Sequence, residues 1–204
     1  PRRLVVGWGG PIGCELAQFF CRFCSVVTII QSPGHLLDKE DGDISVYLEQ
    51  RLIAEGIRLV MGEQVVRFER DGLDKVAITQ GEDGQQRISG DEILIALGRT
   101  PNAQGFGLEE LGVRTTPKGA IDADQFQRTN FPNIYACGDV SSAFQFTHTA
   151  GDQAWRAAVN ALLSPLSHQK FDTRCIPWTT FTDPEVARVG MSEAEAIHRG
   201  IPYE

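Results

Sequence analysis

The residues with most to offer chemically are Gly7-Trp8-Gly9-Gly10-Pro11-Ile12-Gly13, set between the apolar run Leu4-Val5-Val6 and a helical-period stretch ending near Cys24. A glycine-rich turn that joins a strand to a helix points backbone N–H groups at an anion, and bare glycines let a pyrophosphate come close. The spacing permits two readings. Taken as G-x-G-x-x-G, the three positions are Trp8, Gly10 and Gly13; taken from Gly7, they become Gly7, Gly9 and Gly13 with one extra residue between the last two. With strand and helix around it, the turn is expected to hold a dinucleotide through Gly9, Gly10, Pro11, Ile12 and Gly13. The bland alternative is a tight βα turn that binds nothing.

In such a unit the residue that reads the ribose stands about 20 positions further on, at the end of the second strand. Here that is Gln31, 18 residues after Gly13. A carboxylate there would accept both ribose hydroxyls and repel a 2′-phosphate; a carboxamide does the first poorly and the second not at all. No arginine stands nearby in sequence to clamp a phosphate, and Lys39 is only a remote candidate, so NAD is slightly favoured over NADP. Cys21-Arg22-Phe23-Cys24 has the spacing of a redox dithiol or half a zinc site. It falls at a helix C-terminus, where the dipole disfavours thiolate, and no second cysteine pair completes a zinc site. A structural role is therefore expected, as it is for Cys137, and no metal site is expected.

The elements that must position these residues read as follows. Leu4–Val6 is a buried strand, and Pro11–Cys24 a helix with Ile12, Leu16, Phe19, Phe20 and Phe23 on one face. Val26–Ile30 is a second strand, Asp41–Ala54 a helix with Ile44, Leu48 and Leu52 on one face, and Ile57–Val60 a third strand. This β-α-β-α-β order implies a parallel sheet with right-handed crossovers. Val65–Phe68, Val76–Thr79 and Gln86–Ile88 then form an antiparallel meander around Asp71-Gly72 and Glu82-Asp83-Gly84. Glu92–Leu97 is predicted as a buried strand, Leu108–Leu111 as a short helix, Asn133–Ala136 as a strand and Phe146–Leu163 as a helix. Ser164–Asp172 reads as a linker before strands at Ile176–Phe181 and Val186–Val189. The fold class is thus α/β, a Rossmann-like parallel sheet with an antiparallel β-meander, plus the start of an α+β domain.

Bulk properties fit this class and exclude others. The chain has 204 residues, 42% hydrophobic and 23% charged, the balance of a globular protein and not of a disordered one. A net charge of −8 argues against nucleic-acid binding. No apolar run approaches the roughly 18–20 residues of a membrane helix, and no signal peptide is visible. The five cysteines are an odd count without framework spacing, which points to a reducing cytoplasm. A first residue Pro1 without initiator Met points to a piece excised from a longer protein.

Three later segments add specificity. Ala96-Leu97-Gly98-Arg99-Thr100-Pro101-Asn102 follows a strand; Thr129-Asn130-Phe131-Pro132-Asn133-Ile134-Tyr135-Ala136-Cys137-Gly138-Asp139 ends one; Phe181-Thr182-Asp183-Pro184-Glu185-Val186-Ala187-Arg188-Val189-Gly190 opens the last unit. Each alone is a turn with a solvated charge. Together and in this order, the sequence closely resembles the pyridine nucleotide-disulfide oxidoreductases, which include glutathione reductase, dihydrolipoamide dehydrogenase and mercuric reductase. The resemblance covers essentially the whole chain, and Phe146-Thr147-His148-Thr149-Ala150 with Gln153-Ala154-Trp155 is most similar to the mercuric reductase branch.

The resemblance implies an NAD(P)-binding domain over residues 1–120, the closing segment of an FAD-binding domain over 121–165, and the beginning of a dimer-interface domain over 170–204. It implies that Asp139, after Gly138, accepts a hydrogen bond from the FAD ribityl chain, and that Glu15 pairs with a lysine near the flavin and helps to position the nicotinamide. Arg99 with Pro101-Asn102 would stand at the junction of the two nucleotide domains, and Gly98 and Arg99 count among the cofactor-binding residues. The implied activity passes a hydride from NAD(P)H through FAD to a redox-active disulfide, then to a small disulfide, a lipoamide or a metal ion, in a cytoplasmic homodimer.

Departures accompany the resemblance. The family has glycine where Trp8 stands and again where Cys24 stands, and Trp8 is expected to weaken or abolish dinucleotide binding. The first FAD fingerprint and the C-x-x-x-x-C disulfide of the family are expected upstream of Pro1, and the His-Glu acid-base pair beyond Glu204. Neither His148 nor His168 has a carboxylate spaced to replace it, so the isolated chain is expected to be inactive. Two alternatives stay open: a disulfide-free flavin NADH oxidase or quinone reductase, and a non-catalytic nucleotide-binding or dimerising remnant.

Overall fold

The computed structural model describes residues 1–32, 34–166 and 168–203. They form two compact units, one of residues 1–97 with the chain from Thr179 onward, the other of Gly98–Trp178. In the first unit the chain runs through β1 (Arg3–Gly7), α1 (Pro11–Arg22), β2 (Val26–Gln31), α2 (Gly42–Ala54) and β3 (Arg58–Met61). It continues through β4 (Gln64–Asp71), β5 (Asp74–Gly81), β6 (Gly84–Gly90) and β7 (Glu92–Ile95). β1, β2, β3 and β7 make a parallel sheet in the order β3-β2-β1-β7, and β4-β5-β6 an antiparallel one. The α/β class with its parallel sheet and meander is therefore as the sequence predicts.

Alternation along the central strands explains why the parallel sheet is covered on both faces. Leu4, Val6, Val27 and Ile29 point into a core shared with Cys14 and Ala17 of α1 and Leu48 and Leu52 of α2. Val5, Ile30 and Val60 point the other way, onto Ala77 and Ile88 of the meander. The sheet thus lies between a helical layer and the meander.

α1 buries a different face from the one its largest residues mark out, whereas α2 buries the predicted Leu48 and Leu52 but not Ile44. On α1 the buried residues are Gly13, Cys14, Ala17 and Gln18, whereas Ile12, Phe19 and Phe23 are exposed. The cause is close approach: a Cβ on Gly13 would stand 2.0 Å from the carbonyl oxygen of Trp8, so only small side chains fit between helix and sheet. On α2, Ser45 joins Leu48 and Leu52 inside, while Ile44 is exposed. Of Glu92–Leu97, expected as a buried strand, only Glu92–Ile95 is strand, the edge strand β7, and Ile95 and Leu97 are exposed. An edge strand has one neighbour instead of two, and apolar content alone cannot distinguish the cases.

The second unit contains α3 (Leu108–Leu111), a 3-10 turn at Gly138–Val140 and α4 (Thr147–Leu163), with a small core of Ala103, Val113, Ile121 and Ala136 against which Leu108 and Val140 pack. The strand expected at Asn133–Ala136 is not one. Tyr135 makes an isolated bridge to Arg128, and the segment otherwise follows turns whose carbonyls and N–H groups pair locally. The chain ends with β8 (Pro177–Thr180), β9 (Val186–Val189), which pairs with it, and α5 (Glu193–Arg199). Among the described residues no helix is long and apolar enough to cross a membrane.

Candidate functional site

The turn between β1 and α1 resolves the two spacings. Trp8 has φ 77°, the left-handed region that glycine enters without strain. It therefore takes the tight-turn place of the first glycine, and its N–H still donates to Ile30 O at 2.8 Å. Gly13 takes the place of the glycine that lets helix and strand pack closely. At Gly10 a Cβ would meet nothing within 4 Å, so the backbone there is open to a ligand. Pro11 begins α1, where its missing N–H costs nothing. The N–H groups of the first turn, at Ile12 and Gly13, have no acceptor within the helix. The structure thus brings Gly10, Pro11, Ile12 and Gly13 together at the start of α1, with Gly9 behind them.

Gln31 stands at the end of β2 as the ribose-reading position requires, but its carboxamide faces inward and is 4% exposed. Its Oε1 accepts the Gly9 N–H at 2.8 Å and its Nε2 donates to His35 O at 3.1 Å. From the other side, Leu37 N–H donates to Gly9 O at 2.9 Å. The turn is therefore held through both polar groups of Gly9. A Cβ on Gly9 would stand 2.1 Å from Leu36 Cδ2, so the loop after β2 packs directly on the turn. Cys14, buried behind the turn, also donates its thiol to Gly9 O at 3.3 Å, and burial pushes that thiol up to about 12.

Glu15 is half-buried one turn into α1, and its Oε1 accepts the Phe181 N–H at 2.8 Å. Gln18 completes the same attachment: its Oε1 accepts Asp183 N–H at 2.7 Å and its Nε2 donates to Asp183 O at 2.9 Å. Arg22 adds ion pairs to Glu55 at 2.7 Å and Asp183 at 2.8 Å. The Arg22 guanidinium holds the Glu55 carboxyl below its ordinary range. The residues Glu15, Gln18 and Arg22 thus strap the Phe181–Asp183 segment along α1. Sequence reading missed Gln18 entirely; a long polar side chain spaced between two charged ones on a helix is the only signal it offered.

In the second unit, Gly138 has φ 77° and its N–H donates to Gln153 Oε1 of α4 at 2.7 Å. A Cβ there would come within 3.3 Å of Ala150 Cβ, so glycine is set both by conformation and by closeness to the helix. Asp139 follows, exposed, with Arg99 Nη1 donating to its Oδ2 at 2.9 Å and to Gln145 O at 2.9 Å. Gly98, at φ 118°, supplies a backbone conformation that side-chain-bearing residues avoid immediately before Arg99. The sequence-predicted residues Gly98, Arg99, Gly138 and Asp139 therefore form one cluster. A neighbouring cavity of about 830 Å³ is lined by Ser141, Ser142, Phe144 and Gln153 among others.

The remaining titratable candidates are engaged structurally. His148 stacks on Phe146 with ring centroids 5.5 Å apart, and its Nε2 lies 2.7 Å from Pro177 O. His168 lies edge-on to Phe126 at 5.8 Å. Cys21 contacts the Glu55 carbonyl at 3.3 Å, and burial raises its thiol above the ordinary range. All five cysteines are free thiols. Among the described residues no group of three or more His, Cys, Asp and Glu side chains is placed to hold a metal ion.

This geometry has known counterparts. The family model for pyridine nucleotide-disulphide oxidoreductases matches residues 1–154. A mercuric reductase of Staphylococcus aureus is 34% identical over 200 residues, 98% of this chain and 36% of its own. A dihydrolipoyl dehydrogenase of Chlamydia muridarum is 35% identical over 205 residues, the whole of this chain and 42% of its own. Among solved structures, a Cu(II) complex of the HOCl-induced flavoprotein disulfide reductase RclA from Escherichia coli, in a cysteine-to-serine variant, superposes with TM-score 0.88 at 30% identity. It covers 98% of this chain and 44% of that one. LpdA from Mycobacterium tuberculosis superposes with TM-score 0.87 at 28% identity, over 98% and 42% of the two chains. The chain spans less than half the length of these relatives.

Proposed function

The chain belongs to the pyridine nucleotide-disulphide oxidoreductase family, and from that premise we propose that it is the dinucleotide-binding part of an oxidoreductase that uses NAD(P)H and FAD. The observation that carries this reading is the β1–α1 turn: a left-handed residue at Trp8, an open Gly10 and a close-packed Gly13 leading into a helix start. Those residues fit a pyrophosphate, because unpaired N–H groups, the helix dipole and the missing side chain converge there.

The nicotinamide supplies a hydride when bound, and the flavin relays it. The chain's own residues bind and orient. The amides of Gly10, Ile12 and Gly13 receive the pyrophosphate, while Gln31 and Leu37 keep Gly9 in place behind them. Glu15, fixed by Phe181, helps to position the nicotinamide. Asp139 accepts from a ribityl hydroxyl, and Arg99 orients its carboxylate. Because Gln31 spends both polar atoms inside the protein, it offers the adenosine ribose little, and NAD is placed only slightly ahead of NADP.

For the whole protein the reading extends to a cytoplasmic homodimer. It passes the hydride to a redox disulfide and then to a small disulfide, a lipoamide or a metal ion. No two of the five cysteines in this chain have the C-x-x-x-x-C spacing, so these residues contribute binding and not the reacting disulfide. Calorimetric titration of the chain with NADH and NADPH tests the reading. We expect weak binding of both, tightened by Trp8→Gly; a micromolar dissociation constant that Trp8→Gly leaves unchanged contradicts the obstruction assigned to Trp8, and no binding by either protein contradicts the reading itself.

A further inference from the structure

The loop that follows β2 is fixed from two directions, and one of them is a single arginine. Arg188 of β9 is largely buried, with its side chain 11% exposed. Its Nη1 donates to Lys39 O at 2.8 Å and stands 3.7 Å from the Glu40 carboxylate; its Nε donates to Gly190 O at 3.1 Å; its Nη2 donates to Glu195 Oε2 at 2.6 Å. Glu195 in turn belongs to the capping box that begins α5 with Ser192. Asp41, two residues after Lys39, accepts the N–H groups of Glu193 and Ala194 at 3.1 and 3.2 Å. The backbone at 39–41 is therefore attached to the C-terminal segment both through Arg188 and through the first turn of α5.

The same loop reaches the glycine turn at its other end. His35 O accepts from Gln31, and Leu37 N–H donates to Gly9 O. Leu37 has φ 48°, a left-handed conformation that a leucine keeps only where its surroundings impose it. It is 2% exposed, and its carbonyl is met by Ser45 Oγ at 3.5 Å. A continuous series of contacts thus runs from Arg188 to Lys39, along the backbone to Leu37, and across to Gly9. In a βαβ unit the ribose of the adenosine half lies at the end of the second strand, so this loop is the wall on that side.

We propose that Arg188 is a positioning residue for the adenosine half of the dinucleotide, acting through Lys39 and Leu37 on Gly9. The inference rests on the dinucleotide reading above. Removing the guanidinium takes the donor from Lys39 O and frees the loop to relax, which releases Leu37 from its left-handed conformation and weakens its hold on Gly9. Contacts that pass through an intermediate element change affinity by roughly three- to tenfold.

The test uses the full 204-residue chain, with AMP and NADH as probes, in the natural sequence and in Arg188→Met and Arg188→Lys. The expected result is that AMP and NADH lose affinity together, roughly three- to tenfold in Arg188→Met and less in Arg188→Lys. Amide hydrogen exchange at Gly9 and Leu37 should quicken without ligand, while exchange in β5 is unchanged, a pattern that a merely global destabilisation would not produce. Natural-sequence binding with unchanged affinities in both variants overturns the positioning role. Should Arg188→Met fail to fold, Arg188→Lys decides: unchanged AMP affinity with unchanged exchange at Leu37 overturns it. If the natural sequence binds neither probe, the dinucleotide reading fails first and this inference with it.

Discussion

The carboxamide oxygen of Gln31 accepts the backbone N–H of Gly9 at 2.8 Å, so the last residue of β2 holds the turn that ends β1. A side chain at the position expected to face a ribose is instead part of the support for the glycine turn. Gln31→Leu leaves the buried Gly9 N–H without an acceptor and should lower stability by roughly 1–3 kcal/mol. Gln31→Glu keeps an acceptor for Gly9 but sets a buried carboxylate oxygen against His35 O, and should cost at least as much. Urea denaturation of the two variants checks the order.

Cys24 closes α1 with φ 66° while exposed to solvent. A left-handed conformation costs a side-chain-bearing residue about 1–2 kcal/mol relative to glycine. Cys24→Gly should therefore stabilise the chain by about 1 kcal/mol, read as a higher urea midpoint at unchanged slope. An unchanged or lower midpoint would show that the thiol makes a compensating contact.

Gly10 and Gly13 lie three residues apart on the same turn, yet their substitution by alanine should read out differently. At Gly13 the new Cβ meets Trp8 O at 2.0 Å, which forces α1 off the sheet. Overpacking of this kind costs roughly 1–3 kcal/mol, and melting of Gly13→Ala should show it. At Gly10 the new Cβ meets nothing within 4 Å, so Gly10→Ala should melt close to the natural sequence while weakening NADH. Equal stability losses in both would refute the register assigned to the turn.

The strap of Phe181–Asp183 on α1 should loosen in acid. Glu55 is held below its ordinary pKa, chiefly by the hydrogen bonds from Arg22. A carboxylate with a depressed folded-state pKa contributes stability that is fully present above its unfolded value, about 4.3. That contribution is lost as pH falls through the lower folded value. Stability of the natural sequence should therefore drop more steeply below about pH 4.3 than that of Glu55→Gln, which lacks the titrating group. Parallel curves in pH-dependent denaturation would contradict this.

How far the sequence spoke depended on which physical signal each feature left. The β-α-β-α-β order and the meander were legible because apolar periods and glycine turns mark them directly. The buried face of α1 was not. Phe19 and Phe23 carry the strongest apolar signal on α1, yet the buried face is Gly13, Cys14 and Ala17, because close helix–sheet approach selects for small volume and periodicity scores for size. The glycine register at Trp8 became readable only from its backbone angle. Gln31 stands where its spacing from Gly13 places it, but the direction of its carboxamide depends on Gly9 and His35 and is a tertiary property. The pairing of Arg99 with Asp139 spans 40 residues and leaves no local trace. The segment Asn133–Ala136 has strand-like composition but finds only the isolated bridge between Arg128 and Tyr135.

The most direct test of the central claim is a titration of the isotope-labelled chain with NADH, followed by the backbone amide resonances. The turn described here predicts the largest shifts at Gly10, Ile12 and Gly13, smaller ones at Gly9 and Gln31, and loss of those shifts in Gly10→Ala. Shifts concentrated away from the β1–α1 turn, or none at saturating NADH, would contradict the assignment of this turn as the dinucleotide site.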